Sequence, residues 1–186
     1  MVTGAAGFIG YHTCKLLLTQ NNIVVGLDNI SDYYDVNLKF DRLGELGISR
    51  KDAEQFHKLA TGTLHNESFT FVRMNLEDRE ALPQLFQNQK FDLVCNLAAQ
   101  PGVRYSIDNP RVYVETNLMG HLNILEFARH AKTVEHIAYA SSSSVYGNRQ
   151  GGPFSEKDKV RDPASLYAAT KLGGEMIAQS YANLYQ

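Results

Sequence analysis

A glycine-rich turn between a short apolar segment and a helical pattern is the feature that most constrains the fold of this 186-residue chain. The turn contains Gly4, Gly7 and Gly10, and the helical pattern runs from Ile9 to about Gln20. Glycines here let the backbone turn tightly and approach a pyrophosphate, whose charge the helix N-terminus stabilises. The spacing is Gly-x-x-Gly-x-x-Gly rather than Gly-x-Gly-x-x-Gly. It indicates a variant dinucleotide-binding turn, with a merely flexible turn as the alternative.

The apolar run at residues 23–28 predicts a buried parallel strand that ends in Asp28. A carboxylate at that point can accept hydrogen bonds from both hydroxyls of an adenosine ribose, and it would repel a 2′-phosphate. This favours NAD over NADP as a ligand. The alternative is that Asp28 only caps a turn or a helix.

Strand and helix patterns then alternate along the chain. Residues 69–75, 91–98 and 136–140 are typical of strands, whereas 78–87, 110–130 and the segment from Tyr167 to the chain end are typical of helices. This alternation predicts an α/β fold of the Rossmann type, with a doubly wound parallel sheet. Ligands in such folds bind beyond the carboxyl ends of the strands.

The polar segment at residues 29–68 is too long for a simple connection in this architecture. Two weakly amphipathic stretches, 36–46 and 51–59, predict a helical insertion on the surface. Its residues Tyr33, Tyr34, Lys39 and Arg42 are expected to form a solvent-exposed face.

Composition excludes several classes of function. The chain has 18 Lys and Arg against 20 Asp and Glu, with no basic run, so nothing favours nucleic-acid binding. It has no run of about 18 apolar residues and no signal-peptide pattern, so we expect a cytoplasmic protein without membrane contact. The two cysteines, Cys14 and Cys95, provide neither a disulfide framework nor a metal site.

Tyr167 and Lys171 are four residues apart at the start of the last predicted helix, so their side chains share one face. A neighbouring cation favours the phenolate form of a tyrosine, which could then act as a general base. The same spacing also occurs by chance on exposed helix faces.

Four serines, 141–144, follow the strand at 136–140 and are expected to reach the ligand cleft. Asn117 is expected to face the sheet, where it either caps backbone near the site or only satisfies a loop.

In this order and spacing, the glycine turn, the acid, the serines and Tyr-x-x-x-Lys resemble the extended short-chain dehydrogenase/reductase family. Within it, the segments 28–35 and 97–106 are similar to UDP-glucuronate 4-epimerases, which are nucleotide-sugar 4-epimerases. The resemblance covers nearly the whole chain. It implies that residues 1–186 are an NAD-binding Rossmann domain, truncated at both ends and lacking the C-terminal substrate domain of its relatives.

The resemblance also implies roles for individual residues. The pyrophosphate turn would consist of Gly4, Gly7, Phe8, Ile9 and Gly10. Asp28 and Asn29 would hold the adenosine ribose, and Asn75 and Leu76 would flank the adenine. The nicotinamide side would be lined by Leu97, Ala98, Ala99, Gln100, Asn117, Tyr167 and Lys171. Relatives usually have Asp where this chain has Asn75. Ser142, Tyr167 and Lys171 would be catalytic, and Ser142, Ser143 and Arg104 would contact a UDP-sugar. The alternative for Arg104 is a surface pair with Asp108.

The implied reaction is transient oxidation at the sugar 4-carbon followed by reduction from the other face. Dehydratases of this family usually carry an acid before the Val/Leu-Tyr-Gly tripeptide, whereas this chain has Ser143 and Ser144, which favours epimerisation. A dehydratase, and a truncated NAD-binding fragment without catalysis, are the alternatives. Ile177, Tyr181 and Leu184 on the last helix suggest a homodimer in the full-length form, or burial under the missing domain.

Overall fold

The computed structural model describes residues 1–185, apart from the side chain of Asn66. The strands are β1 (Val2–Thr3), β2 (Val24–Asp28), β3 (Leu59–Thr61), β4 (Phe69–Arg73), β5 (Leu93–Asn96) and β6 (His136–Tyr139). The helices are α1 (Phe8–Thr19), α2 (Val36–Glu45), α3 (Arg50–Ala53), α4 (Ala81–Gln89), α5 (Tyr105–Asp108), α6 (Pro110–Tyr113), α7 (His121–His130) and α8 (Leu166–Tyr185). Short 3₁₀ turns occupy His65–Glu67 and Ser143–Tyr146. The predicted last helix is thus α8, and Gln186 lies outside the described residues.

One six-stranded sheet in the order β3-β4-β2-β1-β5-β6 organises the molecule. All neighbouring strands are parallel except β3 and β4, which are antiparallel. The short strand β1 is central, with Val2 opposite Gly26 on one side and Cys95 on the other. The prediction of a doubly wound, Rossmann-type parallel sheet is therefore confirmed.

Alternation along the strands explains why helices cover both faces of the sheet. Val24, Phe69 and Phe71 pack in one core cluster with α1 and α2, whereas Val25 and Val72 pack in a second cluster with α4 and α7. Successive strand residues point to opposite faces, so a continuous apolar run must be buried on both sides. Phe69 and Phe71 are completely buried, and each such side chain contributes about 1.5–3 kcal/mol of transfer free energy.

The insertion at 29–68 differs from its prediction. It contains α2 and α3, but residues 59–61 form the edge strand β3 rather than the end of a helix. Helix α2 buries Lys39, Phe40 and Leu43 on one face, so Lys39 does not belong to a solvent-exposed face. With only three residues, β3 is too short to have a periodic signal of its own, and its pairing with β4 supplies the hydrogen bonds.

The long helix predicted at 110–130 exists, but its middle is distorted. Between α6 and α7 the segment Val114–Gly120 is π-helical, with Asn117 buried inside it. Such a distortion inserts an extra residue into a helical turn and is frequent at functional sites. Among the described helices, none combines the length and apolar character needed to cross a membrane.

Candidate active site

The glycine turn closes on itself and on the end of β5. Gly4 has φ +69°, and a Cβ there would lie 3.0 Å from the backbone nitrogen of Ala98. A Cβ on Gly10 would overlap the carbonyl oxygen of Gly4, which also accepts the N–H of Gly7 at 2.9 Å. These contacts leave no room for side chains, so glycine is required for the close approach of turn, helix and sheet.

Helix α1 begins directly behind this turn with its N-terminus open. Gly7 occupies the N-cap position, no side chain caps the helix, and its first turn carries no acidic residue. The first N–H groups of a helix have no intrahelical partner, and the helix dipole makes this end attractive to anions. The turn therefore offers the donors that a pyrophosphate needs.

Asp28, at the end of β2, is held from three sides. Its side chain is buried and accepts the N–H of Ala6 at 3.2 Å, the N–H of Ile30 at 2.7 Å and the ammonium of Lys39 at 3.3 Å. Arg42, also on α2, donates to the carbonyl oxygen of Ala6 at 3.2 Å. Asp28 is thus more than a turn cap. The basic residues of α2, Lys39 and Arg42, bind Asp28 and the glycine turn instead of facing only solvent.

A single cleft of about 770 Å³ runs past the turn and the carboxyl ends of the strands. Every residue expected to contact the cofactor lines this cleft except Asn75 and Asn117. Asn75 is exposed, and its neighbours Met74, Leu76 and Glu77 form the wall at that point. The insertion forms a further wall, lined by Ser31, Asp32, Tyr33, Tyr34, Asp35, Leu38, Lys39 and Arg42.

Asn117 lies beneath the cleft and supports its floor. The side-chain oxygen accepts the N–H of Gln100 at 2.7 Å, and the amide nitrogen donates to the Gln100 carbonyl at 3.1 Å and to Thr170 Oγ1 at 3.2 Å. Asn117 therefore caps backbone near the site, at Gln100, which was the first of its two expected roles. The π-helical segment thereby connects the loop after β5 to helix α8.

Tyr167 and Lys171 both face the cleft from the first turns of α8. Ser165 caps this helix by accepting the N–H of Ala168 at 3.1 Å, which fixes where the helix begins. The Lys171 ammonium donates to the carbonyl oxygen of Ala140 at 3.1 Å, at the end of β6. Burial lowers the pKa of Lys171 to about 8. The tyrosine and the lysine are therefore not on a freely solvated face.

The serines after β6 differ in position. Ser141 lines the cleft and donates to Glu175, whereas Ser142 and Ser143 do not line it. Ser142 Oγ accepts the N–H of Ser144 at 3.2 Å and its hydroxyl at 2.9 Å. A hydroxyl has two acceptor sites and one proton, so Ser142 keeps its own proton available for donation.

Two tyrosines that the sequence did not single out as site residues meet at the cleft. Tyr33 of the insertion and Tyr105 of α5 both line it, with ring centroids 5.0 Å apart. Gly102, at φ +99°, permits this contact because a Cβ there would overlap the Tyr33 hydroxyl. Arg104 is exposed outside the cleft, and in the described part of the chain it makes no ion pair with Asp108.

The chain is similar to proteins of known family. The family model described as GDP-mannose 4,6 dehydratase matches residues 1–186. Protein CapI of Staphylococcus aureus is 45% identical over 185 residues, covering 100% of this chain and 50% of the relative. A probable UDP-glucuronate 4-epimerase of Rhizobium meliloti is 41% identical over 186 residues, covering 100% of this chain and 49% of the relative.

Solved structures show the same likeness. The UDP-glucuronic acid 4-epimerase of Bacillus cereus, in complex with UDP-glucuronic acid and NAD, superposes with a TM-score of 0.81 at 33% identity. The match covers 99% of this chain and 52% of that structure, so the chain spans about half the length of the relatives it matches. Because the family model matches every residue of the sequence, the chain belongs to the GDP-mannose 4,6 dehydratase family, among the NAD-dependent epimerases and dehydratases of the extended short-chain dehydrogenase/reductase class.

Proposed function

We propose that this chain is the cofactor-binding and catalytic half of an NAD-dependent nucleotide-sugar 4-epimerase, and that UDP-glucuronate is its substrate. The observation that carries the proposal is that Tyr167 and Lys171 line the same cleft as the glycine turn and Asp28. The relatives named as UDP-glucuronate 4-epimerases support the choice of substrate. Homodimer formation and a cytoplasmic location remain predictions.

The residues of the cleft fit NAD. The uncapped N-terminus of α1 suits a pyrophosphate, and the buried Asp28 carboxylate suits the hydroxyls of a ribose. Phe8 and Ile9 expose apolar side chains toward the cleft, next to Gly7. A bound nicotinamide would supply the group that accepts a hydride from the sugar and returns it.

We assign the proton transfer to Tyr167, because it lines the cleft beside Lys171. As phenolate it would remove the proton of the sugar 4-hydroxyl and later return it, so that proton and redox balance are both restored. Lys171 lies one helical turn further along on the same face of α8 and lines the same cleft. With a pKa of about 8, the lysine is mainly protonated at neutral pH.

Ser142 would donate its free proton to the oxygen that becomes the ketone, because both of its acceptor sites are occupied by Ser144. This role requires that Ser142 reach the sugar from just outside the cleft wall. Elimination of water would need an acid at Ser143 or Ser144, and serine cannot provide it at neutral pH. We therefore favour epimerisation over dehydration.

The test uses the full-length protein that contains this chain, incubated with UDP-glucuronate and followed by NMR of the sugar products. We expect UDP-galacturonate, and a loss of about 100-fold or more in kcat for Tyr167→Phe. Tyr185→Phe is the matched control, since Tyr185 lies on the same helix but outside the cleft, and it should retain full activity. Dehydration is tested in a parallel incubation with UDP-glucose, which has a C6 hydroxyl to lose as water; a 4-keto-6-deoxy product there would mean dehydration. Full activity in Tyr167→Phe would refute the assignment of the base.

A further inference from the structure

A series of hydrogen bonds, mostly buried, runs from Ala98 through Thr3 and Asn96 to His121, which the proposed mechanism does not use. The N–H of Ala98 donates to Thr3 Oγ1 at 3.0 Å, and the Thr3 hydroxyl donates to Asn96 Oδ1 at 2.6 Å. The Asn96 amide nitrogen then lies 3.0 Å from Nδ1 of His121. Because the amide must donate there, Nδ1 is the acceptor and the proton of the neutral ring is on Nε2.

That Nε2–H group has no hydrogen-bond partner within 3.5 Å among the described residues, although His121 is only 6% exposed. The backbone of Gly174 on α8 lies near the ring, but only as a weaker contact beyond that distance. Buried donors are nearly always paired with protein or with ordered water. His121 borders a small polar cavity of about 20 Å³, which has room for one water molecule. Lys171, Ala140, Thr170 and Tyr139 also line this cavity.

We propose that His121 is a positioning residue for Lys171. Its Nε2–H donates to one water molecule in the cavity, and the oxygen of that water accepts a hydrogen bond from the Lys171 ammonium. The Ala140 carbonyl is the other acceptor for Lys171. The inference rests on the proposed function only in giving Lys171 its part in catalysis.

The electrostatics of the surrounding groups agree with this arrangement. Burial, and then the charge of Lys171, lower the pKa of His121, against a smaller opposite effect of the Gly174 backbone. At neutral pH the histidine is therefore neutral while Lys171, with a pKa of about 8, is mainly charged. Burial raises the pKa of Tyr139 on β6 and that of Tyr113 on α6, which keeps both phenols neutral. Glu175 accepts from Ser141, and Tyr167 faces the cleft from the same helix as Lys171.

Two substitutions of His121 distinguish the contribution of Nδ1 from that of Nε2. In His121→Asn, the amide oxygen can still accept from Asn96 in place of Nδ1, but nothing reaches the cavity. In His121→Gln, the longer side chain can place an amide N–H near the position of Nε2. The measurement is the pKa of Lys171 in the full-length protein, from the pH dependence of its ¹³Cε chemical shift, assigned with Lys171→Met.

We expect His121→Asn to lower the pKa of Lys171 by about 1 unit, because the ammonium loses a fixed acceptor, and we expect His121→Gln to restore most of it. If His121 acted only through its hydrogen bond to Asn96, the pKa of Lys171 would change less in His121→Asn than in His121→Gln, because Asn keeps that bond. An unchanged or raised pKa in His121→Asn would overturn the proposal. This readout does not require turnover, so it is independent of whether the protein is an epimerase.

If the variants do not fold, the unsubstituted protein still tests the inference. The ¹⁵N spectrum of the His121 ring should show the proton on Nε2, with magnetisation transfer to a bound water. A ring protonated on Nδ1, or an Nε2–H with no water contact, would overturn it.

Discussion

Replacing Lys39 with methionine would leave the Asp28 carboxylate buried without its cation. The ammonium and the carboxylate oxygen are 3.3 Å apart, and the exposed fractions of the two side chains are 10% and 6%. At an effective dielectric constant of about 20, this separation corresponds to about 5 kcal/mol of gross attraction. Asp28 keeps two backbone donors in the variant, so we expect a net loss of about 3 kcal/mol in the free energy of unfolding.

Urea denaturation of Lys39→Met and of Lys15→Met gives a matched comparison. Lys15 pairs with Glu45 at 3.4 Å, but the side chains are 51% and 62% exposed, so the same substitution should cause no measurable change. Adding Asp28→Asn to Lys39→Met removes the unpaired charge and should recover part of the lost stability. If Lys39→Met were as stable as Lys15→Met, the argument that the buried pair supports the cofactor turn would be refuted.

Two further outcomes follow from the contacts described for this chain. Gly10→Ala should lose about 3 kcal/mol of unfolding free energy, because its Cβ would overlap the backbone of Gly4. Gly44→Ala, on helix α2, should gain about 0.5–1 kcal/mol, because its Cβ would have no neighbour within 4 Å. Equal denaturation midpoints for the two variants would contradict this. Hydrogen bonds from Arg129, and next from Tyr181, lower the pKa of Glu126 from 4.5 to about 2, so its stabilising effect is complete above pH 4.5 and is lost as the pH falls toward 2. Glu126→Gln should therefore flatten the acid limb of a stability–pH curve, and an unchanged limb would show that Glu126 contributes nothing to it.

The parts of the site that the sequence predicted are those with a short-range signal. Glycine spacing, the acid after a buried strand and the Tyr167–Lys171 interval each depend on one turn or one helix, and the structure brings these residues to one cleft. The burial of Lys39 depends instead on Asp28, which no local pattern reveals. Likewise, only the fold shows that Ser141 rather than Ser142 lines the cleft.

The same distinction holds for the fold. The strands of the parallel sheet were predictable because they are apolar on both faces, whereas β3 has only three residues, is largely exposed and exists through its pairing with β4. The π-helical turn around Asn117 could not be read from periodicity, because a single inserted residue shifts the pattern by less than one turn. The buried polar group was itself the signal, since it had to find partners.

The central place of β1 has a consequence during synthesis on the ribosome. Residues Val2 and Thr3 can pair with β2 soon after residue 27 has emerged, but their other neighbour, β5, is made roughly 70 residues later. At ordinary translation rates this interval is about 4 to 14 s. Throughout that time one edge of β1 is without its native partner, so this open edge is where a chaperone would have most to protect.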